Sequence, residues 1–440
     1  MIEIELNIDK IYKMPENIFI ENIDGKTLVI SSNTANWLLL NNDCQYRIFQ
    51  SLAEGNSISQ IFEIFKNCKD DIFHVLTELE AKRFEDVNVN YPQEEGMYVY
   101  LTNKCNQRCK HCYMFAGEEN NCELTTLEII KLLKNFSSIG GKVITFTGGE
   151  ATLRKDFLEI IKQAKNYGLK VCVLSNGLLW NDKFVESVKD FIDEVQISID
   201  GYDRNTYLQV RGVDTFNIVI ESVDRLIKAG IRLTIAITPL METLIGHEKS
   251  YISFAKNLLN KYKDNEFFIK FSTELMDGRE INTNKKELLE YRISINRIRE
   301  SCMLQSEKEG FVIDHINNTI FNNCGYGGIT VTSTGDIFFC NLITKCAKQG
   351  NIRKDNFFTI YKKSKKARRL SDINNLIPCK TCPLKYLCGG GCRIKYFNKL
   401  VNQTIDICSE DVFYRDVECD RQQKEYFLRL MIETNELFYR

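Results

Sequence analysis

Three cysteines fall within eight positions of the stretch CNQRCKHCY, residues 105–113: Cys105, Cys109 and Cys112. Thiolates so grouped bind metal, and both a closed zinc site and an iron–sulfur cubane want four ligands. Three sulfurs leave one place for something else; on a zinc reading, a distant residue supplies it. A second constellation lies downstream: Cys324-x10-Gly335-x4-Cys340, then Cys379-x2-Cys382-x5-Cys388-x3-Cys392, then Cys408. Alone, the run 379–392 would also suit a zinc ribbon. Two glycine-bearing segments accompany the first set, TGGE at 147–150 and SNG at 175–177. Such glycines permit close backbone approach, and Glu150 can accept hydrogen bonds from an ammonium group.

These residues sit in a chain of 440 with 44% hydrophobic and 27% charged residues, a composition that folds. Its formal net charge of −1 gives no electrostatic case for nucleic acid or an anionic membrane. No apolar run approaches the roughly 20 residues that span a bilayer. The start MIEIELNIDK lacks the basic and apolar blocks of a signal peptide, so a cytoplasmic location is expected. Seventeen cysteines is an odd number, and a reducing compartment keeps thiols free. Grouped cysteines there read as metal ligands. The single ones, Cys44, Cys68, Cys122, Cys172 and Cys302, read as small buried hydrophobes.

The elements that position the groups follow from patterning. Residues 1–95 read as a separate winged-helix-like α+β module. It has a hairpin turning at Asp24-Gly25, apolar-periodic segments at 34–53, 57–67 and 70–83, and a short strand in FEDVNVNYP (84–92). Ser57 and Asp70 or Asp71 are the expected N-caps of the second and third segments. Residues 90–96 are the expected linker. From 96 to 305 strand and helix alternate, with strands at 97–102, 142–147, 170–175, 194–199, 232–238 and 267–273. That rhythm predicts an α/β fold with parallel strands, a partial (β/α)6 barrel. The cysteine loop follows its first strand, at the C-terminal strand ends where such barrels place function. Residues 306–440 break the rhythm: TVTSTGDIFFCN (330–341) reads as a hairpin and 410–439 as helical.

Together, CNQRCKHCY after the first strand and TGGE after the second resemble the radical S-adenosylmethionine (SAM) enzyme superfamily. The resemblance implies a [4Fe–4S] cluster on Cys105, Cys109 and Cys112, whose fourth iron is chelated by S-adenosyl-L-methionine. It also implies cleavage of SAM to a 5′-deoxyadenosyl radical that abstracts hydrogen from an unactivated carbon. By position, Gly148, Gly149 and Glu150 are expected to hold the methionyl amino group, with Ser175 and Asn176 near the ribose. Ser198 and Asp200 end the fourth strand, where an Asx turn is an equal reading. Arg211 matches the family arginine that pairs with the SAM carboxylate, and MDGRE (276–280) borders the adenine side.

The downstream cysteines resemble the SPASM extension of radical SAM peptide maturases, which implies two auxiliary [4Fe–4S] clusters, three clusters in all. Cys379, Cys382, Cys388 and Cys408 would hold the outer one; Cys324, Cys340 and Cys392 the inner. The segment DHINNTIFNNC (314–324) lacks a further cysteine found in fully ligated relatives. Cys346 or Cys302 would substitute, or one iron stays open to a substrate thiolate, a soft ligand suited to iron–sulfur sites. Asn341 stands where sulfatase-maturing relatives carry a catalytic aspartate. Residues 1–95 resemble the PqqD-like recognition element, which binds a leader peptide as an added strand. The expected activity is thioether formation in a precursor peptide, as in sactipeptide and ranthipeptide maturases. A carbon–carbon crosslink or an oxidised or epimerised residue is the alternative. Flavodoxin or ferredoxin is the expected reducing partner.

Overall fold

The computed structural model describes residues 7–91, 95–282, 284–302, 308, 311–312, 314–315, 317, 319–342, 347–377, 379–393 and 421–439. The chain divides into two compact units, one of residues 1–93, 304–326 and 368–440, the other of 94–303 and 327–367. Among the described residues, no helix is long and apolar enough to cross a membrane.

In the first unit, β1 (Ile18–Ile23), β2 (Lys26–Ser31) and β3 (Asn36–Leu40) form an antiparallel sheet in that order. Asp24 and Gly25 turn the first hairpin with φ of 49° and 76°, the left-handed pair that a two-residue primed turn requires. The segment 34–53, expected as one helix-periodic stretch, instead splits into β3 and α1 (Asp43–Ala53). The cause is that Asn36–Leu40 is buried throughout on both faces of the sheet, so its apolar run carries no two-residue alternation. Asn42 then caps α1 by accepting from the Gln45 amide. Ser57 caps α2 (Ile58–Ile64) in a capping box with Gln60, as the sequence suggested. Cys68, and neither Asp70 nor Asp71, is the N-cap of α3 (Lys69–Ala81); both aspartates lie in its first turn, where they suit the helix dipole. Residues 86–89, expected as a strand, are irregular, and Asn90 makes a single bridge to Thr319.

One face of this sheet packs Val29, Leu38 and Leu40 against Ile48, Leu52, Val75 and Leu79 of the helices. The other packs Leu28, Ile30, Trp37 and Leu39 against Val312, Leu384, Leu428, Met431 and Phe438. Helix 421–433 and the 3-10 turn 435–439 thus cover the second face; residues 410–420 lie outside the described part. At the β3 edge, the Leu39 amide donates to Glu78 Oε2 (2.7 Å) and its carbonyl meets His74 Nε2 (3.0 Å).

In the second unit, six parallel strands follow the predicted positions within about two residues: β4 (Gly96–Tyr100), β5 (Val143–Thr147), β6 (Lys170–Ser175), β7 (Glu194–Ser198), β8 (Arg232–Ile237) and β9 (Phe267–Phe271). They lie side by side in chain order, the outcome of right-handed strand–helix–strand crossovers. Thr125 caps the first crossover helix, α4 (Thr126–Ser138), in a capping box with Glu128. The second crossover helix, α5 (Phe157–Asn166), is followed by Gly168 at φ 73°, which lets the chain leave it. The predicted 330–341 hairpin forms as β10 (Ile329–Val331) and β11 (Asp336–Phe338). It extends the same sheet: β10 pairs parallel to β4, and β11 pairs with β12 (Gly350–Asn351). Arg353 ties this extension to the start of α4 through both carboxylate oxygens of Glu128.

Candidate active site

The cysteine loop leaves β4 and folds back over the strand ends. Cys105 donates its amide to Gly117 O (2.8 Å), and Gly117 donates to Asn103 O (2.9 Å), so the loop closes on itself. Gly149 and Glu150 donate their amides to Thr102 O (2.7 Å) and Lys104 O (2.8 Å). A Cβ on Gly148 would meet Thr102 O at 2.4 Å, and one on Gly149 would meet Lys104 O at 2.3 Å. The close approach these glycines permit is therefore to the backbone of the cysteine loop. Gly149→Ala is expected to push the loop off the strand end at a cost of about 1–3 kcal/mol. Thermal unfolding and iron content after anaerobic loading measure it; an unchanged variant would refute the packing argument.

Glu150 is a buried hub. Its Oε1 accepts from the Thr152 amide (3.2 Å), Thr152 Oγ1 (2.6 Å) and Ser175 Oγ (2.9 Å). Among the described residues, its Oε2 accepts from the Asn176 amide alone (2.7 Å). Burial pushes the Glu150 carboxyl upward against these hydrogen bonds. Ser175 also accepts from Trp180 Nε1 (2.9 Å), and Asn176 Nδ2 donates to Asn106 Oδ1 (2.7 Å). Ser175 and Asn176 thus bind the third strand end to Glu150 and to the cysteine loop.

Ser198 ends β7 half-buried. Two residues on, Asp200 is buried and paired with Arg211 Nη2 (2.6 Å) and His111 Nε2 (3.2 Å), while its Oδ1 accepts from the Thr238 amide (2.7 Å). Burial opposes ionisation of Asp200, yet Arg211 and His111 outweigh it and hold the carboxyl below its ordinary range. Arg211 closes the helix Arg204–Arg211, which stops at left-handed Gly212. Its Nη1 reaches Gln107 Oε1 (3.3 Å) and Cys109 Sγ (3.6 Å). Burial drives the Cys105 thiol up to about 11, with Glu150, Cys109 and Cys112 adding to it. Burial also raises Cys109, against the pull of Arg211. A positive metal centre reverses this preference, since it binds the thiolate.

Several residues that hold the loop were not singled out in the sequence. Arg154 donates to the Leu101 and Leu124 carbonyls, and Gln107 Nε2 donates to Tyr207 OH (3.0 Å). Arg279 of MDGRE donates to Cys109 O (3.1 Å) and to Ala116 O, and Glu280 donates its amide to Lys110 O (2.8 Å). MDGRE was expected to border the adenine side, and the contacts it makes are with the backbone of the cysteine loop. Tyr100 donates to Asn341 O (3.0 Å) and contacts Tyr113 OH (2.9 Å). Tyr100 has one proton and spends it on the carbonyl, so Tyr113 is the donor to Tyr100. This chain of hydroxyls joins the residue after Cys112 to the residue after Cys340.

Of the remaining cysteines, Cys324 and Cys392 share a hydrogen bond in the first unit, and that bond pulls the Cys324 thiol down to about 6. Cys379 and Cys382 lie one turn apart through the Cys382 amide on Cys379 O (2.9 Å), with Cys388 following in the helix Lys385–Cys388. Cys340 belongs to the second unit. Cys302 Sγ faces the Ile252 carbonyl at 3.8 Å. Cys346 and Cys408 lie outside the described residues.

The donors fit an iron–sulfur cluster with a bound amino acid. Sulfurs on a single zinc lie about 3.8 Å apart, from Zn–S bonds near 2.3 Å. Among the described residues, Cys105, Cys109 and Cys112 do not form a group of ligand atoms all within 4.8 Å. Beside them, Arg211 Nε and His111 Nδ1 are buried with no hydrogen-bond partner, and Glu150 Oε2 accepts a single bond. A cation donor and a carboxylate with spare capacity suit the two charged groups of an amino acid.

The family model described as the radical SAM superfamily matches residues 99–248. The probable GTP 3',8-cyclase of Sulfurisphaera tokodaii is 34% identical over 168 residues, 38% of this chain and 51% of that protein. SkfB, the sporulation killing factor maturation protein of Bacillus subtilis, is 39% identical over 142 residues, 32% of this chain and 34% of SkfB. The chain thus spans about half the length of the first relative and a third of the second. Among solved structures, anSMEcpe with bound AdoMet aligns with TM-score 0.58 at 17% identity, covering 77% of this chain and 99% of that one. That likeness shows a shared fold. Residues 99–248, which hold the whole cysteine loop and every strand from β5 to β8, form a radical SAM domain.

Proposed function

We propose that this chain is a radical SAM peptide maturase that joins a cysteine sulfur to a carbon of a ribosomally made precursor peptide. Residues 1–95 receive the leader, 96–305 hold the radical centre, and 306–440 carry two auxiliary clusters. Cys105, Cys109 and Cys112 hold the first cluster, with Glu150 and Arg211 as partners of the SAM amino and carboxylate groups. Gly148, Gly149, Ser175, Asn176, Ser198 and Asp200 shape that pocket. When bound, this pair supplies a radical that takes hydrogen from an unactivated carbon. The protein's own residues orient the cofactor and keep water out: the Glu150 hub fixes the strand ends, and Asp200 locks the Arg211 guanidinium.

The observation that carries the reading is the hydroxyl chain Tyr113–Tyr100–Asn341, which ties the segment of Cys340 to the cysteine loop. It brings the segment that carries Cys340 beside the cysteine loop, which supports a sulfur ligand there. A donor set of Cys324, Cys340 and Cys392 leaves room for a substrate sulfur, which favours a thioether product. Asn341 carries a neutral amide, which does not serve as the base of a sulfatase-type maturation. The 39% identity to a maturation protein supports a peptide substrate.

The test is incubation with SAM, a reductant and a cysteine-containing precursor peptide encoded beside this gene. Each crosslink is expected to remove two hydrogens from the peptide and one thiol from reaction with alkylating reagents. Modification that persists when every core cysteine is replaced would move the product to a carbon–carbon crosslink or an oxidised or epimerised residue. The similarity to GTP 3',8-cyclases makes nucleotide turnover the second reading; conversion of GTP with no change in the peptide would establish it.

A further inference from the structure

Outside the cysteine groups already described, two of the cysteines read as isolated hydrophobes come together in the first unit. Cys44 is the second residue of α1, Cys68 is the N-cap of α3, and Asp71 lies in the first turn of α3. Their two sulfurs and one carboxylate oxygen all lie within 4.8 Å of one another, and all three residues are half-buried. Asp71 is oriented by two amides, since its Oδ1 accepts from Asn42 Nδ2 (2.9 Å) and Gln45 Nε2 (2.9 Å). Cys44 also hydrogen-bonds to Asp71 and to Cys68, so the three groups are already in mutual contact. Two helix N-termini converge here, but burial, Cys68 and Asp71 hold the Cys44 thiol up; a bound cation would reverse that preference.

We infer that Cys44, Cys68 and Asp71 form a binding site for a zinc ion or a similar divalent d10 cation. The donor set of two thiolates and a carboxylate is one that zinc takes, and the spread below 4.8 Å suits bonds of about 2.0–2.3 Å to one ion. The fourth place is open to water, and His74 stands beside the group. It follows Asp71 by three residues, on the same face of α3. It lies outside the group of atoms within 4.8 Å of one another. Its Nε2 lies 3.0 Å from the Leu39 carbonyl and 3.3 Å from Asn41 Nδ2. The ion would pin the starts of α1 and α3 together. The inference stands on this unit alone and does not depend on the peptide reading.

The test uses the full chain, isolated anaerobically and loaded with iron and sulfide, then given zinc and dialysed against a chelator. Zinc and iron per chain are measured for the wild type, Cys44→Ser, Cys68→Ser and the near-isosteric Asp71→Asn. The wild type is expected to retain one more zinc than either cysteine variant, with iron equal in all. Asp71→Asn is expected to bind zinc at least about tenfold more weakly in chelator competition, with unchanged far-ultraviolet circular dichroism. Equal zinc in wild type and variants would overturn the site. So would a Cys44–Cys68 disulfide in the anaerobic chain, found by non-reducing peptide mapping, or iron that falls with zinc in the variants.

Discussion

Replacing Cys109 by alanine is expected to remove about four irons per chain, the content of one cubane. SAM cleavage should fall by at least about 100-fold, since loss of a mere outer-shell partner already costs up to that much. Cys109 sits at the centre of the loop: it is buried, Arg211 Nη1 reaches its sulfur, and Arg279 holds its carbonyl. Cys105→Ala and Cys112→Ala should behave alike, because the proposed cluster needs all three thiolates. The measurements are iron content and 5′-deoxyadenosine released from SAM under reductant. Cys172→Ala serves as the control. It replaces a half-buried thiol on β6, held up to about 12 by burial, and should keep full iron and full cleavage. Equal loss in that control would mean that any cysteine change unfolds the chain, and the assignment of the loop would fail.

The second expected result concerns Asp200. Its removal leaves the buried Arg211 guanidinium facing no carboxylate. Breaking a buried pair in this way costs about 3–5 kcal/mol. Asp200→Ala should therefore melt several degrees below the wild type, and the double variant with Arg211→Ala should lose less than the sum of the single variants. Burial works against the Arg211 cation, and Asp200 more than restores it. The pH dependence has a definite sign. Because the folded carboxyl is held below its unfolded value of about 3.9, its contribution is complete above that pH. It is lost as pH falls through the folded value, where protonation discharges the pair. The stability gap between wild type and Asp200→Ala should be constant near neutrality and close only in acid. A gap that grows with rising pH through neutrality would contradict this account.

The reach of sequence reading differs between the two units. In residues 96–271 the β-branched runs were short, separated by amphipathic helices, and landed on the observed strands within about two residues. There local pattern and tertiary burial agree, because a strand covered on both faces reads as an unbroken apolar run. The same rule misled at Asn36–Leu40, where an apolar run preceding a helix merged with it. Periodicity cannot separate a buried strand from a buried helix segment over five residues. The cap of α3 was misplaced for a related reason: two aspartates suited the role, and a cysteine took it.

The sequence by itself marked out a grouped-cysteine metal site and carried the radical SAM resemblance, because cysteine spacing and strand-end glycines are local features set within a few residues of chain. It also determined the parallel α/β core, through hydrophobic period. Only the tertiary structure decided what those residues do for one another. Gly148 and Gly149 accommodate the cysteine loop's own backbone, Asp200 holds Arg211 and His111, and Tyr100 reaches the segment after Cys340. It also brought Cys44 and Cys68 to Asp71, and set β10 beside β4 across more than two hundred residues. Such contacts depend on which apolar faces bury each other, and a period of two or 3.6 residues says that a face exists without saying what covers it.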